Sequence, residues 1–261
     1  MLRITGSLFI ILNLLPFYSE AQSSRQIRIL TFNILHGATT RNDFDLDTIA
    51  HLILQTKPDL VALQEVDNKT NRAKGYDLVK ELSDRTGMMG RYAAAMPYDG
   101  GEYGEGVLSG WDIVQSRNVA LPHSPENEPR AALEIMVKTP WGDTLSFIGT
   151  HLDHLRDKKD RISQIKKINE VFAGNTIPTI LAGDLNDIPG SQPINILEEK
   201  WQPSYHKSDI VPTFSSSNPR KKIDYIMFLP NHQWHIVQRQ VICDQVASDH
   251  CAYFVIAELR D

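Results

Sequence analysis

The sequence predicts an α/β (α+β) fold: a four-layer αββα sandwich, two mixed β-sheets packed face to face with helices outside. Three observations carry this expectation. Short apolar strands alternate with amphipathic helices; the order strand–helix–strand–helix–strands recurs from Ala131; and no low-complexity linker divides the chain. Two halves that each expose one apolar sheet face bury it by stacking, so one domain over residues 22–261 is expected. Of 261 residues, 41% are hydrophobic and 23% charged, which excludes a disordered tail, a collagen-like repeat and a polytopic membrane protein. The net charge of −5 gives no basic footprint of a general nucleic-acid binder, but it is compatible with an enzyme that meets phosphate through metal ions.

Residues 1–21 read as an address. Arg3 precedes the apolar run LFIILNLLPF, and Ser19-Glu20-Ala21 follows it with small residues at −3 and −1. A secretory signal cleaved after Ala21 is expected, which places the protein in the periplasm or outside the cell. The run is shorter than the roughly 20 residues that span a bilayer, and no Cys follows Ala21 to suggest a lipid anchor.

Residues 26–33 (QIRILTFN) form the first predicted strand. A helix over 45–56 follows, with Leu46, Ile49, Ile53 and Leu54 at helical spacing, ended by Lys57-Pro58. Residues 60–65 (LVALQE) are the next strand, and 76–85 a helix stopped by Gly87. Strands are expected at 106–109, 113–121, 131–138 and 144–151, with a turn at Trp141-Gly142-Asp143. A charged helix over 156–172 places Ile162, Ile165, Ile168 and Phe172 on one side. A buried strand (178–182), a short helix (192–199) and three closing strands (223–229, 235–242, 251–259) complete the chain. Cys243 and Cys251 flank a short loop between the last two strands; a disulfide is open to an exported protein, but two small buried thiols are the favoured reading.

Several strands end in residues with metal or proton chemistry. Asn33 closes the first (TFNILHG), Glu65 the second (LQEVD) and His151 a later one (GTHLDH). Asp184 and Asn186 follow the buried strand (LAGDLND), Asp224 opens another (KIDYI), and Asp249-His250 precede the last (ASDHCAYF). Each alone suits a turn or a solvated strand end. Stacked sheets, however, bring these ends to one rim, where so many acids repel unless a cation sits among them. An oxygen-rich set suits Mg²⁺ or Mn²⁺ rather than zinc, whose sites need clustered His or Cys.

In this order, TFNILHG, LQEVD, THLDH, GDLND, IDYI and SDH resemble the motifs of the endonuclease/exonuclease/phosphatase superfamily, the deoxyribonuclease I-like enzymes, and in particular its exported bacterial members. The resemblance implies metal-assisted hydrolysis of a phosphoester by in-line attack of water. It implies that Glu65, with Asn33 and Asp249, holds the metal, and that Asp184 orients or deprotonates the water. Asn186 would hold the phosphate and that aspartate, and His250 would contact a phosphoryl oxygen with its tautomer fixed by Asp224. His151 matches a histidine acting toward the leaving group, Glu105 in YGEGVLS its carboxylate partner, and Arg130 in EPRAAL an arginine near the scissile phosphate. Asp153 and His154 extend the THLDH motif and are further candidates for metal or substrate contact.

The substrate is less legible. Residues 92–103 (YAAAMPYDGGEY) bring three tyrosines to a loop-like stretch, and 215–222 (SSSNPRKK) brings three basic residues next to Asp224. Neither has the basic and aromatic density of a groove binder, and no long apolar loop suggests membrane entry. A monomeric enzyme acting on a small or lipid-linked phosphoester is favoured, ahead of a secreted deoxyribonuclease I-like nuclease. A catalytically dead binding module is the reading from another class; retention of every matched residue type argues against it.

Overall fold

A computed structural model describes residues 25–260; the leader expected over residues 1–21 lies outside the described residues. Strands β1 (Gln26–Asn33), β2 (Leu60–Asn68), β3 (Met89–Tyr98) and β4 (Gly101–Ser109) join β11 (Trp234–Ile242) and β12 (Ala252–Leu259) in a six-stranded sheet of order β11-β12-β1-β2-β4-β3. The second sheet has the order β5-β6-β7-β8-β10-β9, from β5 (Ile113–Leu121), β6 (Arg130–Lys138), β7 (Thr144–His151), β8 (Thr179–Asp184), β9 (Gln202–Pro203) and β10 (Asp224–Leu229). Helices α1 (Leu46–Thr56) and α2 (Leu78–Thr86) cover the first sheet, α3 (Lys159–Phe172) and α4 (Gln192–Glu198) the second.

Alternation along the strands explains the layering. In β1, Ile27 and Ile29 point into the core between the sheets, against Ile135, Phe147 and Phe228, while Leu30 and Phe32 face α1 with Ile49 and Ile53. In β8, Ile180 and Ala182 face the inter-sheet core and Leu181 packs on Ile165 and Ile168 of α3. Strands buried on both faces read as continuous apolar runs, and these do. Asp45 caps α1 through the amides of Asp47 and Thr48, and left-handed Lys57 and Gly87 end α1 and α2.

The four-layer sandwich agrees with expectation; several details differ. The chain is not two successive halves divided at Ala131. Strand β5 already belongs to the second sheet, whereas β11 and β12 return to the first, because β12 pairs antiparallel with β1. The 92–103 stretch is not a loop: β3 and β4 form a hairpin through it, β3 being an edge strand whose Ala93-Ala94-Ala95 carries little strand propensity of its own. Leu54 is 48% exposed, and Leu52 takes its place on the buried face of α1. Cys243 and Cys251 are joined in a disulfide rather than free: Ile242 and Ala252 form the last pair of the β11–β12 ladder, so the two cysteines stand opposite each other, Cα atoms 4.2 Å apart. Among the described residues, no helix is long and apolar enough to cross a membrane.

Candidate active site

Register assembles the site before any side-chain contact is considered. Strands β7 and β8 pair in parallel with His151 opposite Asp184, and β8 and β10 pair antiparallel with Asp184 opposite Asp224. Three functional residues thus stand side by side on adjacent strands. Gly183 permits the close pairing, since a Cβ there would lie 1.9 Å from the Thr150 carbonyl oxygen. From the first sheet, Asn33 ends β1 opposite Gln64. Glu65 does not close β2 but sits within it, at a bulge between Leu63 and Val66 where its φ is 57°. Bulges re-aim side chains beside active sites, and this one turns Glu65 toward Asn33, whose Nδ2 donates to Oε1 at 3.0 Å.

Asp249 and His250 arrive on the loop between β11 and β12, which is tied down at several points. Ser248 Oγ donates to the Asn33 carbonyl at 2.7 Å, Ser216 N donates to the Asp249 carbonyl at 2.7 Å, and the Phe214 ring packs 4.7 Å from the His250 ring. His250 Nδ1 lies 3.1 and 3.2 Å from the two Asp224 oxygens, which places Nε2 on the pocket side, 3.6 Å from Asp184 Oδ2. Burial opposes the charge on His250, but Asp224 and Asp184 outweigh it and lift its pKa to about 10. The ring is an imidazolium at neutral pH.

Asp184 is 1% exposed. Its Oδ2 stands 3.5 Å from His151 Nε2 and 3.4 Å from Asn33 Nδ2, and its Oδ1 accepts the Asn186 amide at 2.9 Å. Burial, together with Asp224 and Glu65, pushes its pKa up to about 7 against the pull of His250. Glu65 goes the other way: burial is its largest single influence and opposes ionisation, yet His36, the Asn33 amide and the His250 imidazolium hold it at about 2. Asn186, at a φ of 52°, donates to the Leu152 carbonyl at 2.9 Å and places Nδ2 2.9 Å from His151 Nε2.

The partner expected for His151 is different. Glu105 is fully buried, and among the described residues neither of its carboxyl oxygens has a hydrogen-bond partner. Burial holds its pKa well above the carboxylate range, with Glu65 and Asp184 adding to the rise. His151 Nδ1 instead faces Arg130 Nη1 at 3.2 Å. A guanidinium only donates, so Nδ1 faces a donor, while Nε2 meets the Asn186 amide nitrogen at 2.9 Å and Asp184 Oδ2 at 3.5 Å. Burial, then Arg130, keeps His151 neutral by lowering its pKa well below the usual value. Arg130 is itself 2% exposed, bound to Glu128 at 2.8 Å and near His154 Nδ1 at 3.3 Å.

These groups line a cavity of about 350 Å³ that contains Glu65, Asp184, Asn186, His151, His250 and Asp249, with Arg130 and His154 at its side. Two expectations change. Asp153 turns away from the cavity, its Oδ1 accepting the Leu155 amide at 3.0 Å and facing Arg161 at 3.7 Å. Asn33 offers nitrogen rather than oxygen, because Leu35 N donates to its Oδ1 at 3.1 Å, so it braces Glu65 and is not placed as a ligand. Lys222, the last basic residue of 215–222, is buried, with Nζ donating to the Asp224 carbonyl at 2.7 Å. The same cavity includes His36, whose Nδ1 lies 3.7 Å from Glu65 Oε2, and Arg72, Tyr98 and Tyr103. His36 was visible within TFNILHG but has no distinguishing pattern; Arg72 had no signal at all.

The donor set fits a hard divalent cation. Among the described residues, Asp249 Oδ1 is buried without a hydrogen-bond partner in the same cavity as ionised Glu65, and such oxygens are costly to bury unless a cation meets them. Asp184, Asp224 and His250 also bring ligand atoms within 4.8 Å of one another and are able to hold a metal. In that trio, however, Asp224 and His250 already bind each other, which leaves Glu65 and Asp249 as the freer oxygen donors.

Two stacked sheets with acids and histidines gathered at their strand ends define a deoxyribonuclease I-like α/β sandwich. The Endonuclease/Exonuclease/phosphatase family model matches residues 30–250, and the chain belongs to that family. An endonuclease/exonuclease/phosphatase from Beutenbergia cavernae DSM 12333 superposes with a TM-score of 0.75 at 23% identity, over 90% of this chain and 72% of that one. A family protein from Bacteroides thetaiotaomicron gives 0.73 at 20% identity, over 91% and 99%. The mannosyl-6-phosphatase of Bacteroides thetaiotaomicron VPI-5482 gives 0.70 at 20% identity, over 88% and 99%. At these identities the likeness is one of fold.

Proposed function

We propose that the protein is an exported phosphoesterase, dependent on Mg²⁺ or Mn²⁺, that hydrolyses a small or lipid-linked phosphoester. The observation that carries this reading is the meeting, in one cavity, of Asp184 and the Asp224-backed His250 with Glu65 and Asp249. Glu65 and Asp249 would hold the cation, with Asn33 fixing Glu65. When bound, the cation offsets charge developing on the phosphoryl oxygens. Asp184, whose pKa stands near neutrality, accepts the proton of the attacking water. The His250 imidazolium donates through Nε2 to a phosphoryl oxygen, its ring fixed by Asp224. Asn186 holds the phosphate and Asp184 in register. His151 stands toward the leaving oxygen through its Nε2 edge, with Arg130 facing Nδ1 and holding the ring.

The cavity volume of about 350 Å³ supports a small substrate, being at the low end of the roughly 300–1,000 Å³ of small-molecule sites. The Cys243–Cys251 disulfide supports export, since such bonds persist in oxidising compartments. A panel of nucleic acids, sphingomyelin, inositol phosphates, sugar phosphates and bis-p-nitrophenyl phosphate, with and without Mg²⁺ or Mn²⁺, tests the proposal. Glu65→Ala and His250→Ala should each abolish the metal-dependent hydrolysis. A wild type that cleaves nothing in the panel would leave a binding module as the better reading.

A further inference from the structure

One wall of the cavity is not used by the chemistry above. Arg72, in the loop after β2, is held in one orientation: Nε and Nη2 donate to the two oxygens of fully buried Asp67 at 2.6 and 2.8 Å. Its guanidinium carbon lies 4.4 Å from the centre of the Tyr98 ring and 5.7 Å from that of Tyr103. The loop itself is pinned to the β3–β4 turn, where Arg72 N donates to Asp99 Oδ2 at 2.7 Å. The result is a rigid patch made of a guanidinium and two tyrosine rings whose centres are 6.1 Å apart.

The patch continues directly from the proposed leaving-group side. Arg130 Nη1 lies 3.2 Å from His151 Nδ1 and 3.4 Å from the Tyr103 hydroxyl, so His151, Arg130, Tyr103, Tyr98 and Arg72 follow one another along the cavity. An alcohol attached to a phosphate held by His250 and Asn186 would meet this wall.

The chemistry of the wall selects the kind of alcohol. Asp67 neutralises Arg72, so the pair is a fork of N–H donors rather than a site for a second phosphate. Of the five N–H groups of the guanidinium, those directed to Asp67 are spent, and the Tyr98 hydroxyl at 3.4 Å is only a weak partner for Nη1. Fixed donors beside aromatic rings suit a ligand with polar hydroxyls around an apolar C–H face. A bare alkyl chain would leave the donors unpaired.

We propose that Arg72, Tyr98 and Tyr103 form the subsite for the alcohol portion of the substrate, and that this alcohol is hydroxyl-rich, a phosphorylated sugar or polyol. The inference rests on the phosphoesterase reading and adds to it the substrate class. The test is kcat and KM for mannose 6-phosphate, glucose 6-phosphate and n-butyl phosphate with Mg²⁺, for the wild type, Arg72→Lys and Tyr98→Leu. Arg72→Lys keeps a charge for Asp67 while losing the fork; Tyr98 is half exposed, so its replacement spares the core.

In the wild type, kcat/KM for the hexose phosphates should exceed that for butyl phosphate at least tenfold. Each substitution should lower that ratio about tenfold, as expected for one lost hydrogen bond or stacking contact, with the change carried by KM of the hexose phosphates. Hydrolysis without preference, or equal losses on sugar and alkyl phosphates, overturns the subsite and leaves the hydrolase standing. If no ester is cleaved, calorimetric titration with mannose 6-phosphate decides separately. Binding weakened about tenfold in Arg72→Lys supports the subsite without hydrolysis, and unchanged or absent binding overturns it.

Discussion

Glu105 shows how a residue's environment decides its chemistry. As a glutamate near His151 it suggested a second His–carboxylate pair. In the fold it is fully buried and, among the described residues, without a hydrogen-bond partner, with burial favouring the neutral acid, while Arg130 faces His151 Nδ1. Glu105→Gln, neutral and of the same shape, should therefore keep kcat/KM within about threefold. Loss of a true general acid–base partner would cost on the order of 10²-fold or more, so steady-state kinetics separates the two. Asp160 makes a stability prediction at the same scale. Burial opposes its ionisation, but Ser124 N, Ser124 Oγ and Asn127 Nδ2, each at 2.8 Å, lower its pKa below the usual carboxylate value. Its stabilising contribution is full above about pH 4, the unfolded-state value, and is lost as pH falls through the lower folded-state value. Asp160→Asn should thus cost roughly 2 kcal/mol at pH 7, and the gap from wild type should narrow by pH 2–3 in urea unfolding curves.

At the scale of elements, the β11–β12 hairpin carries on one loop half of the proposed metal set and the histidine proposed to contact the phosphate. The disulfide closes that loop eight residues apart, next to His250. Closing so short a loop contributes about 2–3 kcal/mol in the chain-entropy model. Cys243→Ser/Cys251→Ser should lose about that much stability in denaturant titrations, and its kcat should fall as Asp249 and His250 loosen. Undiminished kcat would show that the Ser248, Ser216 and Phe214 contacts position the loop unaided. The β3–β4 hairpin makes the complementary point. Its alanines and glycines carry weak local preference, so its strands form only because β2 offers a paired edge, and that pairing brings Tyr98 and Tyr103 to the cavity.

For the whole molecule, acidic residues from distant parts of the sequence gather in one place. Glu65, Asp184, Asp224 and Asp249 converge at the strand ends of both sheets, drawn from positions far apart in the chain. A cation bound there relieves their repulsion in the folded state alone. Saturating Mg²⁺ should raise Tm by on the order of 5 °C, and Glu65→Ala should remove most of that shift in differential scanning calorimetry. Equal shifts in both proteins would place the ion elsewhere.

The local code of the chain was sufficient for what is local: apolar runs, helix caps, and carboxylates, amides and histidines at strand ends where turn residues would do. From these the layer architecture and most of the cavity's chemical groups were legible, since hydrophobic period and side-chain chemistry are properties of short segments. What needed the tertiary structure depends on residues distant in sequence becoming neighbours. The return of β12 to β1, the bulge that re-aims Glu65, the amide of Asn33 turned nitrogen-first, the exchange of Glu105 for Arg130 beside His151, and the Arg72–Asp67 fork are all of this kind. Which atom faces which is set by register and packing, and these exist only after the sheets have closed on each other.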